Sequence, residues 1–384
     1  MTNILLSILL VSIFIVLNIG NQTTQGLILF GLSFLVIYGI ALKGIYYKKY
    51  LYSFYLLLLI ILFSLFFYKV DSYFYFISEL KILPLFFLAL LIKDILKKGN
   101  HNNIFLNFYK IVTIIILTIG LYGLVVKGLF RYTGFLAHSI YLSIVLNLMY
   151  SYFYKEVKIA WRIITFVTVF LLGSSNGVII FLILTLKHLK WKIYTKICLV
   201  FPAMYFSYWF IAIFRDRPFL GEEFFQIDRV RIFSSVVYNA FHEFSFVNYM
   251  FGWGIGRELN NFKMLFHSFS ADSIGFQKYF SEFTSNGVFS YSFHNEILRI
   301  FFDFGILGLI TISILLYKKL GIELSFILLF AAMTNTILFS TIGLFVISIL
   351  MAVRDLNNDK YVLKQNQSID LHKLVRNIKH QKIV

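Results

Sequence analysis

Residues 293–310 read F-H-N-E-I-L-R-I-F-F-D-F-G-I-L-G-L-I, where a long polar segment gives way to an apolar helix. Asn295 is a good N-cap for that helix, because its side chain can accept a hydrogen bond from a first-turn N–H. Glu296 follows where the helix dipole favours an anion. Arg299 and Asp303 come three and seven residues later, so the three charged groups share one helix face. Ionisable groups on a helix that enters lipid are candidates for function, and a structural ion pair is the alternative.

The composition is typical of a membrane protein. Hydrophobic residues make up 59% of the chain and charged residues 14%, which excludes an ordinary soluble domain. Apolar runs long enough to cross about 30 Å of hydrocarbon recur along it. The first, Ile4–Leu17, lacks a basic n-region and a cleavage site, so we expect a retained helix and not a signal peptide. The single cysteine, Cys198, rules out a disulfide framework and suggests no metal cluster.

The apolar runs predict an all-α, polytopic integral membrane protein with about twelve transmembrane helices and one large periplasmic loop of short helices. We divide the chain into helices 1–9 over residues 1–214, the loop over 215–293, helices 10–12 over 294–353 and a basic cytoplasmic tail over 354–384. The predicted spans are 3–19, 26–44, 50–68, 82–96, 104–126, 136–154, 159–173, 176–190, 194–214, 295–317, 321–335 and 338–353.

Lysine clusters occupy alternate connections between these spans. They follow the second, fourth, sixth, eighth and tenth spans and recur in the tail. The positive-inside rule makes that side cytoplasmic, with both termini inside. The net charge of +17 therefore indicates topology and a basic face on the anionic inner leaflet, and not nucleic-acid binding.

Arginine is distributed differently from lysine, because most arginines map to the outer side. A rigid guanidinium fork suits phosphate or carboxylate bidentately, which a lysine ammonium does not. Neighbouring acids such as Asp216 and Asp228 could instead pair with individual arginines. The cluster over residues 215–231 is therefore a stronger signal than any single member. The outer arginines are Arg131, Arg215, Arg217, Arg229, Arg231, Arg257 and Arg299.

His294 is a candidate general base, because an imidazole titrates near neutral pH and lies here at the outer mouth of a charged helix. The other outer histidines that compete for this role are His138, His242 and His267.

Two glycine-rich turns lie on the same side. Residues 252–256, G-W-G-I-G, lack the strand–turn–helix context of a nucleotide motif. We expect a bend that brings backbone close to a ligand or to the membrane. Residues 173–177, G-S-S-N-G, predict a tight turn and not a nucleophile elbow.

The late helix carries a resemblance to a known family. His294-Asn295, with Leu298 in the leucine position and Gly305 and Gly308 behind, resembles the H-N-x-x-L…G-x-x-G signature of the bacterial O-antigen polymerase and O-antigen ligase superfamily. Supporting motifs fall in the family's order over about residues 125–315.

These supporting motifs precede the late helix. Residues 131–134, R-Y-T-G, look like the family's R-x-x-G, and residues 173–177 are similar to its S-R-G-like turn. Asn176 stands there where arginine is common, which leaves polymerase or ligase open. Arg229 or Arg231 precedes the glycine turn, as an arginine does in family members.

The resemblance implies a GT-C-like architecture and a glycosyltransferase that uses neither metal nor nucleotide cofactor. Its donor would be a glycan on undecaprenyl pyrophosphate at the periplasmic face of the bacterial inner membrane. The acceptor would be a second lipid-linked unit in a polymerase, or lipid A–core in a ligase. Expected partners are these lipid-linked oligosaccharides, membrane lipid, a chain-length regulator and a flippase, with no nucleic acid.

We accordingly expect His294 to be the base, and Arg231 and Arg131 to stabilise the pyrophosphate leaving group. A lipid-linked oligosaccharide flippase is an alternative of another class, although transporters usually show internal repeats and charges in mid-span. A non-catalytic scaffold is the other alternative. The expected substrate-binding residues are Arg215, Arg217, Arg229, Asn295, Glu296 and Arg299.

Overall fold

The computed structural model describes residues 2–18, 84–129, 139–188, 244–254, 296–332 and 342–359, together with short pieces between them. Across these residues every regular element is an α-helix, as the apolar runs predict. The short pieces are residues 58–59, 61–62, 65–66, 132–134, 136, 192, 194–195, 198, 201–202, 205 and 340.

The helices coincide closely with the predicted spans that fall on these residues. The predicted spans 26–44, 50–68 and 194–214 lie wholly or mostly outside them. The last helix continues to residue 359, beyond the predicted start of the tail at 354. The helices are α1 (Thr2–Asn18), α2 (Pro84–Leu96), α3 (His101–Lys127), α4 (Ser139–Phe153), α5 (Ile159–Leu171), α6 (Ser175–His188), α7 (Phe246–Phe251), α8 (Glu296–Ala332) and α9 (residues 342–359).

In the part of the chain that the structure describes, α3 and the stretch Ile297–Leu329 of α8 are the two helices long and apolar enough to cross a membrane. The 27 residues of α3 extend about 40 Å at 1.5 Å per residue, against about 30 Å of hydrocarbon. Asn100 caps the start of α3, where its side chain accepts a hydrogen bond from the Asn103 N–H. These lengths indicate membrane association.

The α8 helix folds back on itself at Gly321. Ile297 and Ala332 line the same cavity, although a straight helix would hold residues that far apart separated by about 52 Å. Gly321 has φ 74°, a left-handed conformation that glycine adopts readily. A Cβ there would lie 2.5 Å from Nη2 of Arg354. The two arms of α8 therefore match the predicted spans 295–317 and 321–335.

The core is built from α3, α4 and α9. Phe105 of α3 contacts Phe153 of α4 with ring centroids 4.9 Å apart, and Phe108 of α3 meets Phe345 of α9 at 6.2 Å. Residues 342–353 of α9 are buried throughout. The late helix α9 thus packs against the early helix α3, which fixes the second half of the chain against the first.

The outward faces of several helices are apolar. Val125 of α3 is 78% exposed, and Ile159 of α5 and Ile322 of α8 are nearly as open. Water-soluble proteins rarely present so much contiguous apolar surface. These faces suit contact with lipid.

One end of the bundle carries a network of polar side chains from connections that the lysine pattern predicts on a common side. Asp355 of α9 lies 4.0 Å from Lys93 Nζ of α2 and 3.3 Å from Lys319 Nζ of α8. Asp359 lies 2.9 Å from Lys93 Nζ. These pairs hold the end of α9 in helical form beyond the predicted boundary at residue 353.

Further contacts join the remaining connections to this polar end. Asn357 of α9 lies 2.8 Å from His101 Nε2 at the start of α3 and donates to Tyr152 Oη at 2.7 Å. Glu323, just past the α8 reversal, lies 2.8 Å from Lys187 Nζ of α6 and accepts a hydrogen bond from Ser151 Oγ of α4. The predicted cytoplasmic connections therefore meet at one end of the bundle, and the side of the membrane stays a prediction.

Candidate functional site

The described residues contain part of the predicted site. Arg299 is described with its side chain, and Glu296 is the first residue of α8. The other predicted site residues lie outside the described residues: His294, Asn295, Arg131, Arg215, Arg217, Arg229 and Arg231, with the competing histidines His138, His242 and His267. The observable geometry is that of α8 and of the glycine turn that packs against it.

Arg299 and Asp303 form the ion pair that their spacing on a helix predicts. Arg299 Nε lies 3.8 Å from Asp303 Oδ2, within ion-pair range but too far for a hydrogen bond. Arg299 is 9% exposed and Asp303 2%. Asp303 Oδ2 has no hydrogen-bond partner. A buried carboxylate in this position is costly, and the nearby guanidinium offsets part of that cost.

The glycine turn packs directly on the backbone of α8. A Cβ on Gly252 would lie 2.5 Å from the carbonyl oxygen of Asp303, and one on Gly305 would lie 2.5 Å from the Gly252 nitrogen. Both glycines have positive φ, 86° and 66°. The Trp253 N–H donates to the Phe302 carbonyl at 2.6 Å. The predicted bend therefore approaches the backbone of α8, because both segments lack a side chain at the contact.

This contact also corrects the prediction of an uninterrupted helix over residues 295–317. Gly305 has φ 66° and ψ −168°, which is not helical. The break lies where Gly252 takes up the space beside the main chain of α8. The predicted close packing at Gly305 is present, with a loop and not with a second long helix.

The segment before the glycine turn is fixed by its own hydrogen bonds. Ser245 Oγ accepts from the Asn248 N–H at 3.3 Å, and Asn248 Oδ1 accepts from the Ser245 N–H at 3.0 Å. This reciprocal capping box starts the short helix α7. The Gly252 N–H then donates to the Asn248 carbonyl at 2.8 Å. The turn thus leaves α7 in a defined direction toward α8.

An aromatic cluster lies over this junction. Phe244 is its centre, with ring centroids 5.5 Å from Trp253 and 5.9 Å from Phe301. All its members are half-buried. Aromatic side chains of this kind bury large area and fix the relative position of the elements that carry them. The cluster consists of Phe244, Tyr249, Trp253, Phe301 and Phe302.

The two arms of α8 line a half-open apolar cavity of about 260 Å³. Ile297 and Ile300 line it near the start of the first arm, and Leu328 and Ala332 line it from the second. Arg299 lies between these two isoleucines in the sequence. The cavity is thus formed by apolar side chains of both arms, whereas Arg299 is not among its lining residues.

The turn at residues 173–177 is a helix start. Ser174 Oγ accepts a hydrogen bond from the Gly177 N–H at 3.3 Å and so caps α6. A Cβ on Gly177 would lie 2.5 Å from the Ser143 Cβ of α4. Asn176, where the family commonly has arginine, is half-buried. The turn is tight, as predicted, and it packs α6 closely on α4.

A buried polar stripe on α4 escaped the sequence prediction. Its members are four residues apart and lie on one face, although the surrounding helix is apolar. Asn147 Nδ2 donates to the Ser143 carbonyl at 2.9 Å and to the Gly177 carbonyl at 2.8 Å. Such groups join helices in apolar surroundings, and their period of four was the signal to find. The stripe is Ser139, Ser143, Asn147 and Ser151.

A scan against protein-family models and a search of the curated proteins found no match to this chain. Among the described residues, no group of three or more His, Cys, Asp or Glu side chains is placed to hold a metal ion.

Proposed function

We propose that the chain is a bacterial inner-membrane polymerase of O-antigen or a related surface polysaccharide. In this proposal it joins undecaprenyl-pyrophosphate-linked repeat units at the periplasmic face. One observation carries the proposal: Gly252 and Gly305 are in backbone contact. The glycine turn and the His-Asn helix are separate motifs of the resemblance, and Gly252 and Gly305 are 53 positions apart in the sequence. Their contact supports a common site.

The proposed reaction is a direct transfer at the anomeric carbon of the donor glycan. A hydroxyl oxygen of the acceptor sugar attacks this carbon while the bond from the carbon to the pyrophosphate oxygen breaks. The bonding electron pair leaves with undecaprenyl pyrophosphate, and the hydroxyl proton passes to His294. General base catalysis of this kind typically contributes about 10²–10⁴-fold.

Negative charge grows on the pyrophosphate as it leaves, and arginines are suited to stabilise it. Their forked donors match phosphate oxygens in pairs. Arg131 and Arg231 are the proposed catalytic pair, and Arg299 is the proposed binding group on α8. Fixed cations aimed at the developing charge are worth more in a water-poor site than in water.

The cavity between the arms of α8 supports binding of the lipid part of the donor. It is lined almost wholly by apolar side chains. Ile297 and Ile300 at its start flank Arg299 in the sequence. We propose that this cavity receives part of the isoprenoid chain of the donor, because its lining is apolar.

Reconstitution into liposomes tests the proposal. Purified protein is given undecaprenyl-pyrophosphate-linked repeat units, and products are resolved by gel. Glycan polymer is the expected result. Transfer only to added lipid A–core would identify the ligase, which Asn176 leaves open as the second candidate. Translocation of the lipid without bond formation would identify a flippase. Protein that neither transfers glycan nor translocates the lipid would refute the polymerase, the ligase and the flippase alike.

A deletion strain gives an independent answer in cells. Loss of a polymerase leaves single repeats on the lipid A–core, whereas loss of a ligase leaves polymer on the carrier lipid. We expect single repeats.

A further inference from the structure

The Arg299–Asp303 pair is buried but incomplete. Nε and Oδ2 are 3.8 Å apart, and Oδ2 makes no hydrogen bond. A buried ion pair is a poor source of stability, because apolar side chains of similar volume often serve as well or better. An apolar pair at these positions would also suit the surrounding helix. A contribution to folding stability therefore does not explain why both positions carry charged side chains.

The direction of the two side chains indicates another role. Side chains on a helix lean toward its N-terminus. The Cα–Cβ bond of Arg299 thus tilts toward the start of α8, where Asn295 and His294 precede it in sequence. Asp303 lies one helical turn further along, and its carboxylate is within ion-pair range of the guanidinium at Nε. The carboxylate therefore attracts the guanidinium electrostatically from one side.

Asp303 is itself held in place by its main chain. Its carbonyl oxygen is in contact with Gly252, and the preceding carbonyl, that of Phe302, accepts the Trp253 N–H. The carboxylate is therefore attached to a stretch of backbone that cannot shift without displacing the glycine turn. Catalytic and binding groups need support of this kind to hold a productive geometry.

We propose that Asp303 is a positioning residue that orients Arg299 toward the pyrophosphate of the lipid-linked donor. The inference rests on the proposed function and extends it, since it assigns a role to a residue outside the predicted site. Asp303 does not touch substrate; it acts through Arg299.

The double replacement Arg299→Met/Asp303→Leu, which removes both charges and keeps apolar volume, tests whether the pair serves folding or binding. Its melting temperature in detergent should equal or exceed that of the wild type. Its KM for the lipid-linked donor should nevertheless rise about 10- to 100-fold, the scale of one hydrogen bond to a charged group. A double variant with wild-type KM and kcat would overturn the inference, because the pair would then be structural only.

The single variant Asp303→Asn gives a second readout. It keeps the shape of the side chain and removes its charge. We expect a raised donor KM with kcat changed far less, since chemistry is left to other groups. A lowered melting temperature with unchanged KM would contradict a positioning role.

Glu323→Gln is the matched control on the same helix, because it weakens the ion pair with Lys187 just past the reversal of α8 at Gly321. It should lower the melting temperature and leave the donor KM unchanged. Binding of undecaprenyl pyrophosphate alone, measured for every variant, separates the two proposals. Wild-type protein that binds this lipid but makes no polymer would refute the polymerase and still test Asp303.

Discussion

Gly252 and Gly305 lie backbone to backbone, each with positive φ and each at a point where a Cβ would collide with the other segment. Neither glycine is explained by its own element. The turn needs a glycine because α8 is there, and α8 breaks at a glycine because the turn is there. The pair thus joins the segment after α7 to α8, the helix that follows the His-Asn motif in sequence.

Replacing Gly252 with alanine should damage both folding and function. The backbone of Gly252, at φ 86° and ψ 179°, lies in a region that costs an ordinary residue about 1–3 kcal/mol, and the added methyl meets main-chain atoms that cannot move aside. We expect the free energy of unfolding to fall by about 3 kcal/mol or more in total. The measurements are the melting temperature and the abundance of the protein in the membrane. Gly128→Ala is the matched control, since Gly128 has φ 62° with no neighbouring atom within 4 Å. Equal losses in the two variants would mean that the contact with α8 is unimportant.

His294→Ala should abolish chain growth while leaving membrane insertion and abundance intact, because it removes the proposed base. The expected loss is about 10²–10⁴-fold. The measurement is polymer length on gels, normalised to membrane protein level. His294→Asn and His294→Gln keep a hydrogen bond but cannot accept the proton, so they should fail too. Near-normal chains in any of the three variants would show that His294 is structural.

Conservative replacement should separate the arginines that bind pyrophosphate from those that pair with acids. At Arg131, Arg231 and Arg215 we expect Arg→Lys to fail almost as badly as Arg→Ala, because a point charge cannot reproduce the bidentate fork. Arg217 and Arg229 should tolerate lysine. If every Arg→Ala variant made polymer of wild-type length and amount at normal expression, none of these arginines would be needed to bind the pyrophosphate.

Reporter fusions test the orientation of the chain. A reporter inserted after Asn260 should be active only when it is of the periplasmic type, and one fused after residue 359 only when it is of the cytoplasmic type. The alternate lysine connections predict both outcomes. Cytoplasmic activity after Asn260 would place the proposed site on the wrong side of the membrane.

Removing Asp355 should loosen the polar end of the bundle. Its carboxylate lies between Lys93 and Lys319, which are both largely buried. Asp355→Ala should therefore cost about 3 kcal/mol, seen as a lower melting temperature. Asp94→Ala is the control, because Asp94 and its partner Lys97 are 44% and 45% exposed, and such surface pairs contribute about 0–1 kcal/mol. An equally large drop in melting temperature for Asp94→Ala would show that the buried contacts of Asp355 contribute no more than a surface ion pair.

The helices were predictable because an apolar segment in lipid must satisfy its backbone internally, and a helix does so without partners. The gathering of the lysine connections was predictable for a similar reason, since charge sorts to one side. The spacing also placed Arg299 and Asp303 on one helix face, with a structural ion pair as the alternative to a functional role.

The break at Gly305 was not predictable from local sequence. A glycine in an apolar helix fits close packing and interruption equally well, and only the presence of Gly252 decides between them. The stripe from Ser139 to Ser151 was visible as a period of four. The extension of α9 to residue 359 depends on Asp355 and Asp359 finding lysines from distant connections, which no window of sequence contains.

The reversal at Gly321 sets the parity of membrane crossings. Counted as a single crossing, α8 would deliver residue 332 to the face opposite its start, and α9 would then run outward with its basic tail. In the predicted topology the reversal makes α8 enter and return as a helical hairpin, and α9 brings residues 354–359 back beside Lys319. One glycine with positive φ would then decide on which side of the membrane the predicted basic tail lies. A substitution at Gly321 is therefore expected to disturb the insertion of the chain into the membrane.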